Sequence, residues 1–332
     1  MGNTSTASAL FECREKPLKS MGFNGMDWAF CAIKDDDCYY IYYVKPYCDP
    51  CRKIYRMRSL DGKTNWTDDP DSPVLGGKNE TAYDRGTTCP TVWKENRHYH
   101  MIFSGLSRDN KWRAFYAKSE DGVSWSVQNN DRPIIDTGGL CKWDQKHAEP
   151  TGIIKVKDKY YCWYNNINCD TVASRQMGLA TSTNLLDWEK DTKNPIFKDG
   201  RFCPSPIKYC DSKYGDKYYL FVCHFVNETY HSEIELYRCD NPEFYPDDPS
   251  LTLPLVIKSW VAGSWWEANV LDPVYVLTDN IYRDTFSASK KQLWMYYGAN
   301  NYAYEGGTRG MGLCIAKSLG FVQGANFRSR SS

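Results

Sequence analysis

A phrase recurs about every sixty residues along this chain, and it constrains the fold more than any other feature. It reads Ser-x-Asp/Asn, then Trp a few residues on, then Pro with an apolar pair seven or eight residues later. The first copy is Ser59, Asp61, Gly62 and Trp66, closing with Pro73, Val74 and Leu75. The second is Ser119, Asp121, Gly122 and Trp125 with Pro133, Ile134 and Ile135, and the third Ser182, Asn184, Asp187 and Trp188 with Pro195, Ile196 and Phe197. A blurred fourth runs from Asp240 and Asn241 through Phe244 to Pro254, Leu255 and Val256. The three tryptophans lie 59 and 63 residues apart. A period of that size means one supersecondary unit copied around an axis or along a stack.

Each phrase follows strands. Tyr39 to Val44, Tyr99 to Ser104, Lys159 to Tyr164, Tyr218 to His224 and Gln292 to Tyr297 are rich in Tyr, Phe, Val and Ile and lack helical periodicity. Each is preceded by a shorter apolar stretch and a polar turn, such as Asp35-Asp36-Asp37 or Lys157-Asp158, which is a hairpin signal given five times. A third strand leads into the Ser-x-Asp-Gly turn, and the Pro-apolar pair starts a fourth. The expectation is an all-β, five-bladed β-propeller with four antiparallel strands per blade. The last unit stops after its third strand, at Ile315 to Ser318, and Pro17-Leu18 looks like the displaced Pro-apolar pair. The N-terminal segment is therefore expected to close the last blade, leaving no long open edge. By this reading residues 1–20 form that segment, 21–320 the propeller and 321–332 a flexible tail.

Forty-one acidic and forty-one basic residues are evenly scattered, which argues against a nucleic-acid footprint. No apolar run approaches membrane-spanning length and no signal-peptide h-region opens the chain. Of the fourteen cysteines, Cys162, Cys223 and Cys314 fall inside strands, where a thiol is a small buried hydrophobe; Cys38, Cys48 and Cys51 cluster around one hairpin and could be bridged or bind metal, although a lone Cys-x-x-Cys is a weak zinc signal. With sequons at Asn65, Asn79 and Asn227, this cysteine usage permits an extracellular or virion setting. No Ser-His-Asp order, phosphate-binding Gly-rich loop or paired zinc motif is present, so neither a cofactor nor a metal is expected.

In a propeller the first strand of each blade lines the central channel, so the starts of these strands meet at one mouth. Three of the five carry a carboxylate there: Asp27 beside Trp28, Glu149 before Pro150, and Glu267 after Trp266. Asp84, Arg85, Trp143, Asp144, His147 and Arg201 lie just outside. Acids, arginines and flat indoles around one concavity suit an oligo- or polysaccharide: carboxylates act at the anomeric centre and aromatic faces stack on sugar C–H surfaces. The bland alternative is a carboxylate that only binds the backbone amides of a turn.

The chain resembles the five-bladed glycosidase superfamily that includes glycoside hydrolase families 43, 32, 62 and 68. The likeness spans about Asp27 to Ser318 and is carried by the Pro-ending tripeptides, the Lys157-Asp158-Lys159-Tyr160-Tyr161 and Gly215-Asp216-Lys217-Tyr218-Tyr219 hairpins, and Ser-x-Asp-Gly-x-x-Trp. It implies a blade-one Asp as base or nucleophile, a third-blade Asp that orients and tunes, and a fourth-blade Glu that donates the proton. Asp27 matches the first, with Trp28 where Pro is usual, and Glu149 holds the third-blade slot with Glu in place of Asp. Phe202 and Cys203 precede Pro204 where the resemblance would put the donor, so that slot has no acid; Glu267 is the nearest substitute. Alternatively Glu149-Pro150 is itself the donor's motif, with Asp84 or Asp144 as helper. The expected activity is cleavage of a furanoside or pentose-containing glycan, with Asp27, Glu149 and Glu267 catalytic, Glu149 as acid and Asp27 as base or nucleophile. Against it stand a carbohydrate-binding or structural propeller that has lost its proton donor, and transfer or phosphorolysis at the same carboxylates.

Overall fold

The structure, a computed structural model, describes residues 11–13, 19–21, 30–45, 52–167, 175–211, 215–225, 232–243, 257–258, 269–277, 293–301 and 308–316. Two short strands, β1 (Phe11–Cys13) and β2 (Lys19–Met21), come first. One sheet follows from β3 (Phe30–Asp35), β4 (Cys38–Lys45), β5 (Lys53–Ser59) and β6 (Thr67–Asp68), with β7 (Leu75–Gly76) also on β5. The next holds β8 (Gly86–Glu95), β9 (His98–Leu106), β10 (Trp112–Ser119) and β11 (Ser126–Val127). Then come β12 (Glu149–Val156), β13 (Lys159–Asn166), β14 (Gln176–Ser182) and β15 (Glu189–Lys190). A further sheet comprises β16 (Arg201–Asp211), β17 (Gly215–Phe225), β18 (Ser232–Cys239) and β19 (Ile257–Lys258). Last are β20 (Asn269–Leu277), β21 (Leu293–Asn301) and β22 (Thr308–Ala316), and both β1 and β2 pair with β22.

This corrects the expectation of a five-bladed propeller with four antiparallel strands in every blade. Four blades are each built from one continuous stretch of chain. The remaining sheet is a composite of both chain ends, and it and the β3 sheet hold five strands rather than four. The expectation failed because it counted strands from local hairpin and turn signals, whereas the extra pairings, β7 on β5 and both β1 and β2 on β22, join segments that are distant in sequence or short. Pro17-Leu18, expected in the closing strand, lie outside the described residues.

The core lies between sheets rather than within them. Cys31, Ile33, Tyr42 and Val44 from one sheet interleave with Val92, Met101, Phe103 and Phe115 from the next. Trp93, Ile102 and Tyr116 then meet Ile153, Cys162 and Tyr164, and Ile154, Trp163 and Leu179 meet Leu220, Val222 and Tyr237. Trp294, Tyr296 and Met311 of the composite sheet return to Phe30, Ile41 and Tyr43. A second strand is therefore covered on both faces, which explains the near-continuous apolar runs: in β9, Tyr99–Leu106 is buried throughout.

The recurring phrase makes one turn three times. Asp61 accepts the amides of Lys63 (2.8 Å) and Thr64 (2.7 Å), Asp121 those of Val123 and Ser124 (both 2.7 Å), and Asn184 those of Leu186 (2.9 Å) and Asp187 (2.8 Å). These turns also lock neighbouring sheets. Tyr296 donates to Gly62 O and Tyr42 to Gly122 O, both at 2.9 Å. The third copy has Leu185 in the glycine's left-handed conformation (φ 67°). The preceding sheet offers no tyrosine to that turn; Ile102 and Leu185 share one apolar cluster instead.

Gly122 combines φ +73° with a space in which a Cβ would lie 2.6 Å from Tyr42 Oη. Gly122→Ala is expected to lower stability by about 1–3 kcal/mol, from overpacking and backbone strain together. Thermal unfolding measures it; an unchanged midpoint would contradict this account of the turn.

Candidate functional site

In an antiparallel blade the start of the first strand, the end of the second and the start of the third lie at the same sheet end. Register shows this directly: Gly86 at the start of β8 faces Leu106 at the end of β9, which faces Trp112 at the start of β10. Residues at these ends accordingly share one face of the ring.

On that face four first strands break register beside a proline, at an X-Pro step in β8, β16 and β20 and just after Pro150, at Thr151, in β12. The breaks fall between Thr88 and Thr91 in β8, Pro150 and Gly152 in β12, Phe202 and Ser205 in β16, and Leu271 and Val274 in β20. A bulge adds an unpaired residue and re-aims its side chain. In β8 and β16 the re-aimed residue is a cysteine with left-handed backbone, Cys89 (φ 49°) and Cys203 (φ 50°). The corresponding step in β20 is Asp272-Pro273, so Asp272 holds the register position of Cys89 and Cys203.

Glu149 is the centre of this arrangement. It is 5 % exposed, between buried Ala148 and Pro150. His147 Nδ1 donates to its Oε1 at 2.7 Å, and the Cys89 thiol lies 3.4 Å from its Oε2. His147 is itself held by β10: Trp112 N donates to Lys146 O (3.0 Å) and Ala148 N to Trp112 O (2.9 Å). Asn165, opposite Glu149 in β13, accepts the Cys203 amide at 3.2 Å and links this group to β16. Two blades thus meet at one carboxylate, and a third is tied to its neighbour Asn165.

Beside Cys203, β16–β18 carry a second polar group. Arg201 Nε donates to Glu235 Oε2 at 2.8 Å and its terminal nitrogen to Oε1 at 3.2 Å. His224 Nδ1 donates to Oε1 at 2.9 Å, and Tyr237 Oη to Oε2 at 2.6 Å. Burial pushes the Glu235 carboxyl up, but the His224 and Arg201 contacts outweigh it and hold it at about 2. His224, Glu233 and Glu235 have the ligand types for a divalent cation, and their donor atoms lie within 4.8 Å of one another. However, Glu235 already accepts four hydrogen bonds, one for each lone pair of its two oxygens. The group is a closed ion-pair network.

The other expected residues are placed as follows. Asp84 and Arg85 lead into β8 and bind the connection after β9: Asp84 pairs with Arg108 at 2.5 Å and Arg85 with Asn110. Asp84 Oδ1 is buried with no hydrogen-bond partner. Trp143 stacks on Tyr164 at 5.4 Å, and Asp144, 3 % exposed, accepts Lys190 of the outermost strand β15 at 2.5 Å. The structure brings His147 and Glu149 together and sets Trp143 and Asp144 beside the outer part of their blade. Asp27, Trp28, Trp266 and Glu267 lie outside the described residues. The sequence reading missed Cys89, His224 and Glu235; the alternation in Ser232-Glu233-Ile234-Glu235-Leu236 carries no local signal that sets Glu235 apart. Cys31, Cys38, Cys89, Cys141, Cys162, Cys203, Cys223 and Cys239 are free thiols, while Cys48, Cys51 and the Cys314 side chain lie outside the described residues. No helix among the described residues is long and apolar enough to cross a membrane.

No protein-family model matches the sequence. A 1,2-beta-oligomannan phosphorylase of Thermoanaerobacter sp. (strain X514) is 27% identical over 128 residues, 36% of this chain and 42% of that protein. The match thus spans less than half the length of this relative. Among solved structures, the catalytic domain of the Coprinopsis cinerea GH62 alpha-L-arabinofuranosidase superposes with a TM-score of 0.66 at 10% identity, covering 94% of this chain and 98% of that one. A family 117 glycoside hydrolase of the marine bacterium Zobellia galactanivorans gives 0.62 at 14% identity, covering 97% and 96%. At such identities the likeness is one of fold: this chain has the propeller architecture of those glycoside hydrolases.

Proposed function

We propose that the mouth is the active site of a glycoside-cleaving enzyme and that Glu149 is its proton donor. The observation that carries this is a buried carboxyl two residues ahead of the unpaired Thr151, oriented by His147 Nδ1–H at 2.7 Å and facing the Cys89 thiol at 3.4 Å. A donor must carry its proton until the bond breaks, and Glu149 lies between buried Ala148 and Pro150. Its proton passes to the glycosidic oxygen as the C–O bond breaks, and His147 lies in contact to restore it. Asp27, three residues ahead of β3, is the base or nucleophile in this reading, with Glu267, two residues ahead of β20, and Asp272 within β20 as further carboxylates. The substrate class is a furanoside or pentose-containing glycan, supported by the fold shared with an arabinofuranosidase.

Phosphorolysis is the second reading. It is favoured by the phosphorylase among the relatives and by Arg52, Arg85 and Arg175, all at strand starts on the face of Glu149. A phosphate held by arginines would replace the second carboxylate as nucleophile. The test is product analysis on arabinofuranosides, xylosides, fructans, galactosides and β-1,2-mannosides, with and without inorganic phosphate. Free sugar formed equally in both is the expected result. A sugar 1-phosphate formed only with phosphate would establish the second reading. Sugar binding without turnover would make this a non-catalytic propeller.

A further inference from the structure

A cavity of about 500 Å³ lies away from Glu149, between the β7 edge of one blade and the β11 edge of the next. Its origin is a departure from the repeat. In the β5 and β14 blades, the residue before the Pro of the repeated phrase turns inward onto the third strand. Ser72 Oγ accepts the Arg56 amide at 2.9 Å, and Asn194 Oδ1 the Leu179 amide at 2.8 Å. The corresponding residue of the β10 blade, Arg132, is exposed. The connection before it instead runs through three successive left-handed residues, Asn129 (φ 59°), Asn130 (φ 53°) and Asp131 (φ 58°). Neither sibling connection, 69–73 or 191–195, contains a left-handed residue. Consecutive non-glycine residues in that region are unfavourable, and such strain persists where the surroundings hold it for a purpose.

The strained connection forms one wall. Trp125 supplies an aromatic surface, and Tyr83 and Lys78 close the other side. Tyr83 Oη donates to Asp131 Oδ1 at 3.3 Å, and Lys78 Nζ sits 3.6 Å from Oδ2. The Gln128 amide nitrogen is spent on Ser126 O at 2.8 Å, which leaves its carbonyl oxygen as an acceptor. An indole, a phenol, a carboxylate, an amide oxygen and a surface ammonium around one polar hollow match vicinal hydroxyls and the C–H face of a pyranose or furanose ring.

We infer that this cavity is an accessory oligosaccharide-binding site, separate from the mouth, that holds a remote stretch of a polymeric glycan. The inference keeps the glycan class of the proposed function but needs no catalysis. Affinity gel electrophoresis of the Glu149→Gln protein in arabinan, arabinoxylan, inulin and β-1,2-mannan tests it. Retardation by at least one polymer is expected, with apparent affinity at least threefold weaker in Lys78→Ala and Asp131→Ala. Lys78 is exposed, so its variant bears no folding risk, and both changes on the wild-type background should leave turnover of a short aryl glycoside unchanged. No retardation in any of the four polymers, or retardation equal to the parent in both variants, would overturn the inference. Absence of turnover in the wild type would count against the proposed function and leave the gel result standing.

Discussion

Glu149→Gln is expected to lower turnover of glycosides with ordinary sugar leaving groups by about 10²–10⁴-fold, the usual contribution of a positioned general acid. The amide keeps the size of the carboxyl and can still meet His147 Nδ1 through its oxygen, so the fold should be preserved. Substrate affinity should change much less than turnover, because the missing proton matters only as the bond breaks. His147→Ala acts through Glu149 and should cost less, while moving the pH profile of turnover; an alanine that lowered rate at every pH equally would indicate packing alone.

The largest stability effect is expected at Glu235. Glu235→Gln leaves the partly buried Arg201 guanidinium facing a neutral amide, and breaking one half of a buried pair costs about 3–5 kcal/mol. The sign with pH follows from the direction of the shift. The folded carboxyl is held below its ordinary value of 4.5, at about 2, so its stabilisation is complete above pH 4.5 and is lost as pH falls towards 2. That depression corresponds to about 3 kcal/mol. Melting curves between pH 7 and pH 3 should show the wild type losing stability on the acid side and the variant, already weaker, losing less. Parallel acid profiles for the two proteins would contradict the network's role.

The repeat unit was legible because its signals are local. Hairpin turns, apolar runs and the Ser-x-Asp-Gly-x-x-Trp turn each lie within a dozen residues, and every strand ladder among the described residues is antiparallel. Glu149 was legible for the same reason, as a carboxylate beside Pro at the start of a first strand. Cys89 was not: its thiol reaches Glu149 only because a bulge turns it, and the bulge depends on pairing with β9. Asp144 misled in the opposite way. Five residues from Glu149 in sequence, it lies beside outermost β15, because the chain crosses the blade between them. Four strands per blade failed where two short strands share β22 and where β7 joins β5, pairings that no local signal specifies.

The central claim is proton donation by Glu149, and leaving-group dependence tests it most directly. Wild type and Glu149→Gln would be compared on the best-cleaved glycone, attached either to dinitrophenol, which departs without a proton, or to a sugar, which needs one. The account predicts a large loss with the sugar leaving group and nearly wild-type rates with dinitrophenol. Equal losses on both substrates would contradict it and assign Glu149 to another role.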